Sequence, residues 1–172
     1  MTNKRIFQWV MGIALIPAMS WLLPASLWGQ AATVPAAALV AEVTPAALEL
    51  KAEDLSTDPT RFGEAGDLLE QAARMLAVED PASVSLLIRA ARLQYFDGGL
   101  AKSIASMKEA GWRALGQGRV QVAANAYADA ALIAIAQQDN AEAVKLVRIV
   151  KLLAQWPGVT TAQARQIKGR IG

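Results

Sequence analysis

RVQVAANAYADAALIAIAQ, residues 119–137, decides the fold. Eight of these nineteen residues are alanine, and between Val120 and Ala136 the polar side chains are Gln121, Asn125 and Asp129, apart from the Tyr127 hydroxyl. Alanine is the strongest helix former because it loses no side-chain entropy on entering a helix. A helix that is apolar most of the way round is buried on more than one side. The segment is therefore expected at the centre of the fold, sandwiched between neighbouring helices.

Working outward, caps and stops divide the chain. Thr44-Pro45, Asp58-Pro59 and Asp80-Pro81 each place a hydrogen-bond acceptor at the N-cap and proline at the first helical position. Proline is tolerated there because its missing N–H has no intrahelical partner. Asp139-Asn140 and Thr160-Thr161 supply two further caps. Asp97-Gly98-Gly99, Gly116-Gln117-Gly118 and Pro157-Gly158 read as stops. The expected helices cover 45–55, 60–78, 81–96, 100–115, 119–137, 140–156 and 161–169. Val84, Leu87, Ile88, Ala91 and Tyr95 make one apolar face, and Leu68, Leu69, Ala72, Met75 and Leu76 another. No segment alternates like a strand. Short connections make neighbouring helices antiparallel.

Composition agrees. Hydrophobic residues are 54% of the 172 but aromatics only 6%, and the excess is largely alanine, which suits closely approaching helices better than a bulky core. Cysteine and histidine are absent. That excludes disulfides, thiolate nucleophiles, cysteine-ligated zinc and imidazole general bases. Ser83 and Ser85 have no histidine to activate them, and Glu53-Asp54 and Glu79-Asp80 sit at helix ends, where acids act as caps. Gly116-Gln117-Gly118 lacks the third glycine and the strand of a phosphate loop. The chain is expected to be non-enzymatic and to use no cofactor.

The N-terminus reads as a targeting segment. Lys4 and Arg5 precede an apolar run from Ile6 to Trp28, and Gly29-Gln30-Ala31 offers small residues for cleavage after Ala31. The alternative is an uncleaved anchor, since the run approaches the roughly 20 residues that span a bilayer. The expected organisation is a signal peptide or signal anchor over 1–31, an Ala/Pro linker over 32–44 and a helical repeat domain over 45–172. Either version exports the domain to a periplasmic or extracellular location, with an inner-membrane tether if residues 6–28 are retained.

The segment 82–156 folds onto itself at a period of about 40 residues, each half being two helices around a short turn. Tyr127 stands at an opening aromatic position, Ala130 and Ala131 follow as a small pair, and Ala143 and Val147 occupy the second helix. Leu87, Ala90, Ala91, Ser103, Met107 and Ala110 take the corresponding places in the first half, with Tyr95 one residue off register. Ala65, Leu69 and Ala72 look like the second helix of an earlier unit. This pattern resembles a degenerate tetratricopeptide repeat over about two thirds of the chain. It departs from that family's period of about 34 residues, lacks its tryptophan and replaces its glycines by alanine. Gln155 stands where the family has proline, with Pro157 two residues on. The resemblance implies an all-α fold, antiparallel helix hairpins stacked as a short right-handed α-solenoid, and a surface that binds a protein or peptide. The alternative is an ordinary helical bundle with alanine-rich seams.

Candidate partner-binding residues are Lys145, Arg148 and Lys151, spaced by three, together with Arg119 and Trp112. The basic residues read either as a stripe for an acidic peptide or anionic lipid, or as a solvated helix face. Trp112 and Trp156 read as core or inter-helix plugs, with interface anchor as the alternative. Nucleic acid is not expected, because no aromatics interleave with the bases. Residues 42–80 hold ten carboxylates and three cations, whereas 81–172 hold twelve cations and five carboxylates. That split suits weak head-to-tail self-association; the other reading is a solvated surface with an accidental asymmetry. The functional expectation is a protein-interaction or scaffold module of the cell envelope, the alternative being a membrane-anchored structural subunit of a larger envelope complex.

Export is directly testable. Residues 1–45 fused to a reporter that works only outside the cytoplasm should give an active reporter. An inactive fusion retained in the cytosol would contradict the reading.

Overall fold

All five predicted caps form. In a computed structural model that describes residues 43–171, the Thr44 hydroxyl accepts from the Ala47 N–H at 3.2 Å, and Asp58 from Thr60 at 2.9 Å. Asp80 accepts from Ala82 at 2.8 Å and Asp139 from Glu142 at 3.0 Å. Thr160 and Gln163 form a reciprocal capping box. The caps start helices α1 (Pro45–Leu55), α3 (Pro81–Phe96), α6 (Asn140–Leu153) and α7 (Thr161–Gly169). Asp58 instead starts a single 3-10 turn, Pro59–Arg61, which leads into α2 (Phe62–Met75). Helices α4 (Leu100–Gly116) and α5 (Val120–Ala136) complete the described domain, which holds no strand. The signal or anchor over 1–31, and the linker up to residue 42, lie outside the described residues.

Two predicted helices are too long. The helix expected over 60–78 is α2, which stops at Met75 because Leu76 is extended, with φ −84° and ψ 150°. The helix expected over 140–156 is α6, which ends at Leu153. Beyond it, Gln155 and Trp156 donate to carbonyls three residues back rather than four. Trp156 precedes Pro157, and the residue before proline is disfavoured in the helical region.

Consecutive helices pack on one another from α1 to α6, and α7 leans on both α5 and α6. The domain is an all-α stack. Its turns are spaced more finely than the paired period visible in the sequence. Gly98, Gly118, Gln138 and Gly158 all have positive φ, +83°, +70°, +63° and +88°, and follow one another at twenty-residue intervals. The first three of these turns are alike. Gly99 N–H donates to the Gln94 carbonyl and Gly98 N–H to Tyr95; Arg119 and Gly118 repeat this with Ala114 and Leu115, and Asp139 and Gln138 with Ala134 and Ile135, all between 2.8 and 3.0 Å. This is the Schellman termination, in which two donors satisfy the last helical carbonyls.

The core keeps the same beat. Ser83, Ser103, Ala123 and Ala143 are buried; so are Ala90, Ala110, Ala130 and Val150, and so are Gln94, Ala114, Ala134 and Ala154. Small residues at these positions bring the axes together. A Cβ on Gly111 would lie 2.8 Å from the Tyr127 ring, and one on Gly66 would lie 2.9 Å from Gln94 Cγ. The expectation for 119–137 holds in most of its length: Ala123, Ala124, Ala126, Ala128, Ala130, Ala131 and Ala134 are buried. It fails at Leu132 and Ile135, which are 52% and 53% exposed.

Side chains on helices two apart tie the stack into two layers. In the odd layer Arg89 on α3 pairs with Glu49 and Glu53 on α1, and Arg170 beyond α7 pairs with Asp129 on α5. In the even layer Lys102 on α4 meets Asp67 on α2 at 2.7 Å, and Lys108 on α4 meets Glu142 on α6 at 2.5 Å. Buried Arg113 donates to the Ala73 carbonyl at the end of α2 at 2.9 Å, and Gln117 holds the α2–α3 turn through the Val78 and Asp80 carbonyls.

Gln138 is the one non-glycine residue with positive φ among the described residues. The left-handed conformation costs an L residue about 1 kcal/mol that glycine avoids. Gln138→Gly should therefore raise the unfolding free energy by about 1 kcal/mol in denaturant titration. A midpoint that stays put or falls would show that the third turn is not the equivalent of the other two.

Candidate functional site

The ion pairs between helices two apart leave one interval in the odd layer unbridged. Among the described residues no charged pair joins α3 to α5, and an open cavity of about 320 Å³ lies there instead. Ala91, Arg92, Tyr95 and Phe96 form its α3 wall; Asp129, Leu132 and Ile133 form its α5 wall; Met107 of α4 lies between. The small side chains of the seam set the backbone spacing, and the larger residues toward the C-terminal ends of α3 and α5 stand out of it. Tyr95 is 42% exposed, Phe96 70% and Leu132 52%.

Phe96 is exposed but braced. Its ring centroid lies 6.3 Å from that of Phe62, the first residue of α2, and 5.6 Å from that of Tyr95, edge to face with the latter. Aromatic pairs in such geometries attract beyond simple burial. A large apolar ring held in place while facing water loses little entropy on contact with a partner. Arg92 on the same wall pairs with no carboxylate within the described residues, whereas Asp129 opposite is neutralised by Arg170. The groove thus presents apolar side chains and one uncompensated cation.

None of the candidate partner-binding residues singled out from sequence lies on this groove, and of them only Arg148 and Lys151 share a site with one another. Trp112 lies on α4, 59% exposed, five residues from Met107 and so about 140° round the helix from it. Arg119 stands at the α4–α5 turn and lines a separate cavity of about 450 Å³ with Trp156 and Gln163. Lys145, Arg148 and Lys151 are exposed on α6 but are split. Lys145 faces Glu142 at 3.5 Å, while Arg148 and Lys151 line a third cavity with Ile135, Val144 and Val147. The hydrogen bond from Lys108 holds Glu142 below the usual carboxylate range, with its own burial opposing the shift. The plug reading of the two tryptophans is corrected: Trp112 and Trp156 are 59% and 49% exposed, so neither is buried in the core. Alanine and glycine already close the seams between helices.

Tyr95, Phe96 and Leu132 were missed as surface residues. Tyr95 continues the apolar face begun by Val84, and Leu132 lies in a run that reads as buried throughout. The twenty-residue interval finds only Leu132: Arg92, Trp112, Leu132 and Leu152 form one column, and all four face solvent. No protein-family model matches the chain, nor does any curated protein or solved structure. No described helix is long and apolar enough to cross a membrane.

Proposed function

We propose that this chain is a non-enzymatic, tetratricopeptide-like repeat module that holds an apolar segment of another protein in the groove between α3 and α5. The observation that carries the reading is Phe96, 70% exposed yet packed by Phe62 and Tyr95 beside Leu132. Clustered exposed apolar residues mark interaction surfaces, and central aromatic anchors contribute most of the binding energy at such surfaces. Arg92 favours a carboxylate next to the apolar anchor. The absence of histidine and cysteine from the whole sequence supports a role without imidazole or thiolate chemistry. Lys4-Arg5 and the apolar run to Trp28 support placing the module outside the cytoplasm, free or tethered through residues 6–28.

Selection of random displayed peptides on the full chain tests this. Enriched peptides should carry an aromatic or large aliphatic residue beside an acid. Their affinity should fall tenfold or more, about 1.4 kcal/mol, on Phe96→Ala or Leu132→Ser and stay unchanged on Trp112→Ala. Peptides indifferent to Phe96 and Leu132, or no enrichment at all, would refute the groove as the binding site.

A further inference from the structure

Helix α7 is too short to cover the end of the stack. It has nine residues where α2 to α6 have fourteen to seventeen, so it spans about 13 Å against at least about 21 Å. Arg170, just past its last turn, meets Asp129, which marks the middle of α5 as the limit of its reach. Beyond that limit the stacking face is bare. Ile135 and Val144 are 53% and 50% exposed and, with Val147, line an open cavity of about 510 Å³ to which α7 contributes no residue. Arg148 and Lys151 stand on the same cavity. The cations paired at this end are Lys108, Lys145 and Arg170, so neither Arg148 nor Lys151 is neutralised among the described residues.

The opposite end of the stack is its chemical complement. On α1, Leu50 is 70% exposed, and Asp54, four residues on, shares its face. Glu49 and Glu53 are held by Arg89, but Asp54 pairs with no cation among the described residues, and Lys51 is the only cation on α1. Residues 43–80 carry nine carboxylates and three cations; residues 140–171 carry six cations and one carboxylate. One end offers an apolar point beside unpaired acid, the other an apolar hollow beside unpaired base.

We infer that the α6 end of the stack, built on Ile135, Val144, Arg148 and Lys151, docks the α1 end of a second copy of this chain. The two surfaces differ, so the contact is heterologous and propagates copy by copy instead of closing a symmetric pair. It leaves the α3–α5 groove open and does not depend on that groove's having a ligand. In a linear assembly each copy would present its groove at a regular spacing.

The experiment is sedimentation of the full chain, as processed by its expression host, across a concentration series in 0.1 M and 1 M sodium chloride. Concentration-dependent association is expected at 0.1 M and should weaken about tenfold or more at 1 M, as the Debye length falls from about 10 Å to about 3 Å. Arg148→Glu with Lys151→Glu reverses one end, and Asp54→Lys reverses the other; all three positions are exposed. Each variant alone should be monomeric with unchanged helicity, and their equimolar mixture should associate again, because every acidic surface then has a basic one to meet. A monomeric chain at 0.1 M salt overturns the proposal. So does association that survives the reversal of Arg148 and Lys151, or a mixture of the variants that stays monomeric.

Discussion

Everything in this domain rests on how closely two helices approach. Alanine at 90, 110, 130, 91 and 131, and glycine at 66 and 111, remove the side-chain volume that would hold the axes apart. At Gly111 the space released is filled by the Tyr127 ring itself. Dispersion between tightly packed small groups is weak atom by atom and large in sum, and it vanishes with a gap of less than a water molecule. Larger core side chains such as Leu69, Leu87, Leu146 and Ile167 pack around these small contacts, so stability depends on keeping the axis distances short.

Short axis distances explain the polar architecture. Long side chains on helices two apart can reach one another across the helix between them. Arg89, Lys102, Lys108 and Arg170 do this, each finding a carboxylate on the next helix of its layer. Exposed ion pairs contribute little stability, about 0–1 kcal/mol each. Their effect is on register, because a helix slipped by one turn would lose its partner. Gln94, Ser103 and Ser106 add a buried check on the same register: Ser103 donates to the Ala91 carbonyl, and Ser106 to the Gln94 side chain, which donates in turn to Glu70. Only between α3 and α5 does the layer exchange charge for apolar side chains, and that exchange makes the groove. Where α7 stops short, a second apolar surface is left with cations beside it.

Much of the fold was legible because caps are local. Thr44, Asp58, Asp80, Asp139 and Thr160 each act within three residues of their own position, so their meaning survives without the tertiary structure. Burial is not local. Leu132 and Ala131 are neighbours in an apolar run, yet one faces water and the other is 1% exposed. Hydrophobicity alone does not separate them; the signal that does is the narrow polar stripe of Gln121, Asn125 and Asp129, spaced by four, on whose face Leu132 lies. The twenty-residue spacing of the turns was present in Gly98, Gly118 and Gly158, but Gln138 interrupts the glycines, and only the backbone shows that it adopts the same left-handed turn. The basic stripe was legible as charge. Its division between Glu142 and an apolar cavity depends on which helices stand next to α6.

The central claim is that successive twenty-residue units are physically equivalent. Its most direct test is to measure the unfolding free energies of Ala90→Leu, Ala110→Leu and Ala130→Leu, three fully buried positions one unit apart. Alongside them run Arg92→Ala, Trp112→Ala and Leu132→Ala, which lie two residues further on and face solvent. Equivalence predicts that each leucine overpacks its seam and costs about 1–3 kcal/mol. The exposed set should change by no more than about 0.5 kcal/mol. A leucine tolerated at any of the three buried positions, or an exposed substitution as costly as a buried one, would contradict the account.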